Sequence, residues 1–132
     1  MRSQESLNSK LDQRRLSDFI SQALEYVVDT AGSGKREIIP SLAAEKLKLS
    51  YVETLGVLMV LEDRGLLHHF YRVYCPASDG SVCDVSDKKD IPALIYCKFC
   101  GKEHGEADVD VEVVFRIDDE KLNHFLRNRA VA

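Results

Sequence analysis

Apolar positions recur at helical spacing through the first half of the chain and alternate through part of the second. Leu16, Phe19, Ile20, Ala23, Leu24, Val27 and Val28 make one stripe, which predicts an amphipathic helix. Ser17 is the expected cap, with Asp18 placed against the helix dipole. The polar residues 1–15, with Leu7 and Leu11 four apart, predict a partly ordered helical lead-in. Gly32 and Gly34 break the helix in a loop. Glu37-Ile-Ile-Pro-Ser41 reads as a short extended piece, because Pro40 disfavours helix at Ile39. Ser41 is then the expected cap of a short helix, Ser41-Leu-Ala-Ala-Glu-Lys-Leu-Lys-Leu49.

The longest apolar helix signal runs from Ser50 to Leu67. Ser50 can cap it, and Gly65 can end it in the left-handed conformation that costs glycine nothing. Within it, Leu55-Gly-Val-Leu-Met-Val-Leu61 carries no charge, and a helix apolar all round is buried all round. The period then changes. Leu66 to Cys75 is rich in aromatic and β-branched residues and predicts a strand. Residues 76–92 read as a polar loop, and Ala93-Leu-Ile-Tyr-Cys97 as a short strand. From Asp108 to Ile117, Val109, Val111, Val113, Phe115 and Ile117 share one face against Asp108, Asp110, Glu112 and Arg116, the pattern of a half-buried antiparallel strand. Asp118 or Asp119 caps a last helix bearing Leu122, Phe125 and Leu126.

This order of elements resembles the winged helix-turn-helix superfamily. Ser41-Leu-Ala-Ala-Glu-Lys-Leu-Lys-Leu-Ser50 matches the first element of the turn. Leu61-Glu-Asp-Arg-Gly-Leu-Leu67 matches the end of the second helix, where it passes into the wing. The likeness covers residues 17–75 and the strand 108–117. It implies an α+β fold over 1–132 with about four helices and a small antiparallel sheet, and a wing lengthened by an insertion at 76–107.

Composition is that of an ordinary globular chain: 132 residues, 45% hydrophobic, 30% charged, net charge −4. The acidic balance weakens any reading in which the whole surface attracts nucleic acid. No stretch approaches the roughly 18 apolar residues of a membrane span, and Met1 to Asn8 lack a signal-peptide core. A cytoplasmic protein is expected. In a reducing compartment, clustered cysteines are metal ligands more often than disulfides.

The cysteines are spaced Cys75-x7-Cys83-x13-Cys97-x2-Cys100. Cys97-Lys-Phe-Cys-Gly101 is a knuckle that points two thiolates at one ion. Cys75 and Cys83 complete a tetrahedral Zn²⁺ set with no open position, so a structural Zn²⁺ held by Cys75, Cys83, Cys97 and Cys100 is the expectation. His104, with three residues between it and Cys100, is the substitute for Cys83. A redox pair at Cys97 and Cys100 fits less well, because a Gly-Lys-Glu-His-Gly loop follows where a helix would lower a thiol's pKa. His68 and His69 are adjacent on a strand and point to opposite faces, one expected packed and the other solvated. Nothing nearby in the sequence gives His124 a role.

Catalytic signals are lacking. Gly32-Ser-Gly-Lys35 does not have phosphate-loop spacing, and Asp118-Asp119-Glu120 reads as charge at a helix N-terminus. The chain is therefore expected not to be an enzyme. The resemblance implies that the 50–65 helix would enter a DNA major groove, where outward positions need hydrogen-bonding side chains. In superfamily register those positions are Leu55, Gly56, Met59 and Val60, all apolar. They predict docking of another protein or a second copy of this chain, and an adaptor, accessory or regulatory role. The alternative is a DNA-binding regulator using Lys35, Arg36, Lys46 and Lys48.

Overall fold

The computed structural model describes residues 2–78 and 80–131, with side chains over 15–78 and 80–129. The chain runs α1 (Arg2–Gly32), β1 (Glu37–Ile38), α2 (Pro40–Leu47), α3 (Tyr51–Asp63), β2 (Leu67–Tyr74), β3 (Ser81–Val85), β4 (Leu94–Tyr96), β5 (Glu103–Gly105), β6 (Asp110–Ile117) and α4 (Asp119–Val131). Single 3₁₀ turns lie at Lys88–Asp90 and Glu106–Asp108. No helix is long and apolar enough to cross a membrane among the described residues.

Helix boundaries follow from local chemistry. From residue 2 on, the lead-in and the 16–28 stripe form one continuous helix, so Ser17 lies inside α1 instead of capping it. Ser41 is not a cap either. Pro40 occupies the first turn of α2, where its missing N–H is no loss, and Ile39 precedes it in extended geometry. At α3 the Ser50 hydroxyl accepts from the Glu53 amide at 3.0 Å, and the Glu53 carboxylate accepts from the Ser50 amide at 3.1 Å. This is a complete capping box, which adds the Glu53 side chain to the expected Ser50 cap. The other end of α3 is equally well closed. Gly65, at φ +82°, donates to Glu62 O at 2.8 Å, and Leu66 donates to Leu61 O at 3.1 Å. The two bonds form a Schellman motif, with the side chains of Leu61 and Leu66 both in the core. Asp118 is the cap of α4, accepting from the Lys121 amide at 3.0 Å.

Four strands form one antiparallel sheet in the order β1-β6-β2-β3, and β4 and β5 form a separate hairpin. The strand β3 corrects the expected loop over 76–92: Ser81-Val-Cys-Asp-Val85 pairs with β2, Val73 opposite Cys83. The strand β5 corrects the expected Gly-Lys-Glu-His-Gly loop, and its pairing with β4 brings it into the fold. The main core joins the helices to one face of the sheet through Ala23, Val27, Ile38, Leu58, Leu61, Leu67, Phe115 and Leu122. A smaller apolar cluster of Val73, Ile91 and Ile95 lies toward the β4–β5 hairpin.

The outer face of the sheet is not purely polar. Val114, within the strand expected to alternate cleanly, is fully buried opposite Phe70. The guanidinium groups of Arg72 and Arg116 stack on the Phe70 ring at 5.3 and 4.8 Å and cover it. Arg72 also grips Glu37 through two bonds of 2.8 Å and Asp84 through two, of 2.9 and 3.2 Å. One side chain on β2 thus ties both outer strands of the sheet, β1 and β3.

Candidate metal centre

Cys75 leaves β2 where the chain turns at Pro76, and its amide donates to Gly80 O at 2.9 Å to close the turn. Cys97 follows β4. The knuckle after it is closed by the Gly101 amide bonding to Cys97 O at 2.8 Å, with Gly101 at φ +73°. The Cys97 amide then bonds to Lys102 O at 2.9 Å, which starts the return strand β5. On β5, His104 lies opposite Ile95. Paired residues of a hairpin share a face, and so does the residue two further along, so His104, Ile95 and Cys97 point the same way.

This brings four ligand atoms together. The Sγ atoms of Cys75, Cys97 and Cys100 and a ring nitrogen of His104 all lie within 4.8 Å of one another. His104 Nε2 is 3.4 Å from Cys75 Sγ and 3.1 Å from Cys100 Sγ. Tetrahedral zinc, with bonds of about 2.3 Å to sulfur and 2.0–2.1 Å to nitrogen, separates its ligand atoms by roughly 3.5–3.8 Å. The group therefore has the donors and nearly the spacing for one metal ion. Cys75 and Cys97 are buried, Cys100 and His104 half-buried, and none of the cysteines is in a disulfide.

The thiols are electrostatically distinct. The Ser78 hydroxyl, the Ala77 and Ser78 amides and Cys97 favour the Cys75 thiolate and bring its pKa down to about 6. At Cys100 the Lys102 amide pulls the other way, but burial and the adjoining Cys97 and Cys75 sulfurs prevail and push that thiol up. Ser78 also occupies the place, three residues beyond the first cysteine of its turn, that Cys100 occupies in the knuckle.

Cys83 does not join the group. It lies half-buried on β3 against the smaller apolar cluster, where burial raises its pKa. His104 takes the position expected of Cys83, and pairing is the reason. Register with β2 holds Cys83 beside Val73, whereas β4–β5 pairing carries His104 to the knuckle. Gly80 completes the arrangement: a Cβ built there would lie 2.7 Å from carbons of the Phe99 ring, so the Cys75 turn packs directly on the knuckle.

The two strand histidines differ from the packed-and-solvated expectation. Both are well exposed and each meets a carboxylate, His68 Nε2 to Asp118 Oδ2 at 2.8 Å and His69 Nδ1 to Glu62 Oε1 at 2.7 Å. His124 contacts Asn128 within α4 at 3.2 Å.

On α3, the residues expected to meet a partner are not sealed inside the chain. Met59 and Gly56 are exposed, while Leu55 and Val60 are half-buried, Leu55 against the main core. Leu55 and Met59 line a groove of ≈ 360 Å³ between α3 and the sheet, with Tyr71, Val111 and Val113 opposite. The basic residues behave separately. Lys35 and Lys46 border one hollow together with Asp29 and Glu37. Arg36 pairs with Asp119 at 2.9 Å, and Lys48 is the left-handed C-cap of α2 at φ 58°. Comparison with family models, with curated proteins and with solved structures finds no significant match to this chain.

Proposed function

We propose that the chain is a non-catalytic winged-helix module, stabilised by a structural Zn²⁺ in its wing, that acts as an adaptor, accessory or regulatory subunit through the outer face of α3. One observation carries the reading. Past Tyr51 and the capping residue Glu53 in its first turn, the helix that would read DNA presents Gly56 and Met59 to solvent, with Val52 beside them, none of which offers a side-chain hydrogen bond to a base edge. An exposed apolar helix face suits a protein surface instead. The antiparallel pairing of β1 with β6, and of β6 with β2, next to three helices supports the winged-helix part.

Zinc is the metal that a Cys₃His set suits best. Four protein ligands leave no position for a substrate or an activated water, so the ion's role is to hold the lobe together. The sites of Cys75, Cys97, Cys100 and His104 would carry it. The nucleic-acid alternative has less support, since Arg36 is already paired and acids border the Lys35–Lys46 hollow.

Affinity capture from native cells, comparing the intact chain with Met59→Asp, tests the adaptor role. A specific partner lost in the variant, with an unchanged circular dichroism spectrum, is the expected result. Salt-dependent duplex binding that disappears on replacing Lys46 and Lys48 would instead return the chain to the DNA-binding class.

A further inference from the structure

We propose that the turn from Cys75 to Gly80 is a second knuckle, built like the one from Cys97 to Lys102, in which Ser78 stands at a ligand position and positions the Cys75 sulfur instead of binding the metal. The proposal rests on the reading of Cys75, Cys97, Cys100 and His104 as a metal site and adds a residue to it.

The two turns share their construction. Each follows a tyrosine that ends a strand, Tyr74 of β2 and Tyr96 of β4. Each leads into the antiparallel partner of that strand: Tyr74 lies opposite Ser81, as Tyr96 lies opposite Glu103. In each, the amide of the first cysteine donates to the carbonyl five residues on at 2.9 Å, Cys75 to Gly80 and Cys97 to Lys102. In each, the side chain three residues past that cysteine accepts from the amide two residues further along. Cys100 Sγ accepts from the Lys102 amide, and Ser78 Oγ accepts from the Gly80 amide at 3.3 Å. The difference lies in the donor, a hydroxyl in the first turn where the second has a thiol.

Coordination chemistry gives that difference a reason. Two such turns with cysteine at both places would supply the four thiolates of a closed zinc site. In this chain β5 brings His104 to the cluster, so three thiols and one imidazole already make the tetrahedral number. Zinc takes its protein donors from cysteine, histidine and carboxylates, so a neutral hydroxyl does not compete with them. Ser78 uses its proton elsewhere, in a hydrogen bond to the Cys75 sulfur. The hydroxyl thereby links the Gly80 amide, next to the point where the turn closes, to a ligand atom. Contacts of this kind fix a ligand's direction and are typically worth tenfold or more in metal affinity.

Titration of the full chain with Co²⁺ in place of its metal tests this, because the sulfur-to-cobalt charge-transfer band grows with the number of bound thiolates. The intact chain should give the band of three. Ser78→Ala should keep that band but bind about tenfold more weakly, and Ser78→Thr, which retains the hydroxyl, should restore the affinity. His104→Ala should bind poorly. Adding Ser78→Cys to it should recover binding, now with the band of four thiolates, a gain that a merely structural role for Ser78 cannot produce. A double variant that binds no better than His104→Ala alone overturns the proposal, and so does an unchanged affinity in Ser78→Ala. An intact chain that binds neither Co²⁺ nor Zn²⁺ removes the metal site itself, whereas an intact chain that binds while the Ser78 variants fail these expectations removes only the role given to Ser78.

Discussion

Cys75 Sγ and His104 Nε2 lie 3.4 Å apart although 29 positions separate the two residues. The β2 strand ends at one, and the β4–β5 hairpin delivers the other. Their meeting puts His104, and not Cys83, in the group that could hold a metal ion. Elemental analysis should find about one zinc per chain in the intact protein and in Cys83→Ser, and a clear loss in His104→Ala. Chelation should unfold the lobe, read as loss of amide-exchange protection over β4 and β5, while the helical core stays protected. Zinc lost from Cys83→Ser and kept in His104→Ala would reverse the assignment.

Gly80 and Phe99 make the second test. The Cβ of Gly80→Ala would press on the Phe99 ring. The cost expected is about 1 kcal/mol, at the low end for overpacking because the half-exposed ring can swing outward. In the double variant with Phe99→Ala, the two costs should fall short of their sum, since one removes the obstacle to the other. Strict additivity in denaturant titrations would show that the turn and the knuckle are not packed together.

Arg72 joins Glu37 and Asp84 from the middle of the sheet, and its side chain is only 17% exposed. Arg72→Met leaves two carboxylates without their cation, a loss of about 2 kcal/mol for hydrogen bonds to charged groups. The same contacts give an acid limb to stability. Arg72 holds the Glu37 carboxyl below its ordinary 4.5. The Lys121 amide, and then His68, hold Asp118 below 3.8. A depressed carboxyl contributes stability that is present above its unfolded value and is lost as pH falls through its folded value. Unfolding temperature should therefore hold steady down to about pH 5 and decline below it, with a shallower decline in Glu37→Gln. A decline of equal steepness in that variant would exclude Glu37 as a contributor.

Ser50 tests the start of α3. Ser50→Ala removes the acceptor for the Glu53 amide and breaks the capping box. The expected loss is about 1 kcal/mol of global stability, measured as a lower urea midpoint at unchanged slope. A midpoint equal to that of the intact chain would show that the cap is replaced by water at no cost.

The helices were legible in the sequence because their determinants are local. The 16–28 stripe, the Ser50 cap and Gly65 act within a few residues of themselves, and all three are where the pattern put them. The knuckle at Cys97 and Cys100 was legible for the same reason: two thiols with two residues between them face one point in such a turn. The alternation of β6 was visible as well, except at Val111, which is 40% exposed, and at Val114, whose burial depends on Phe70 across the strand and on the two arginines stacked over that ring.

Tertiary structure decided the remainder. A strand is completed by its neighbour, so β3 and β5, whose polar residues do not read as strand, exist through pairing with β2 and β4. That pairing chose His104 over Cys83, a choice that spacing along the chain does not contain. It also decided how the apolar run of α3 is divided. Periodicity marked Leu55 to Leu61 as buried on every side, but packing on the core takes only Val57, Leu58 and Leu61 fully inside and leaves Gly56 and Met59 in the open. Sequence registers how apolar a helix is. Which side faces out is set by the elements that reach it, and those come from far along the chain.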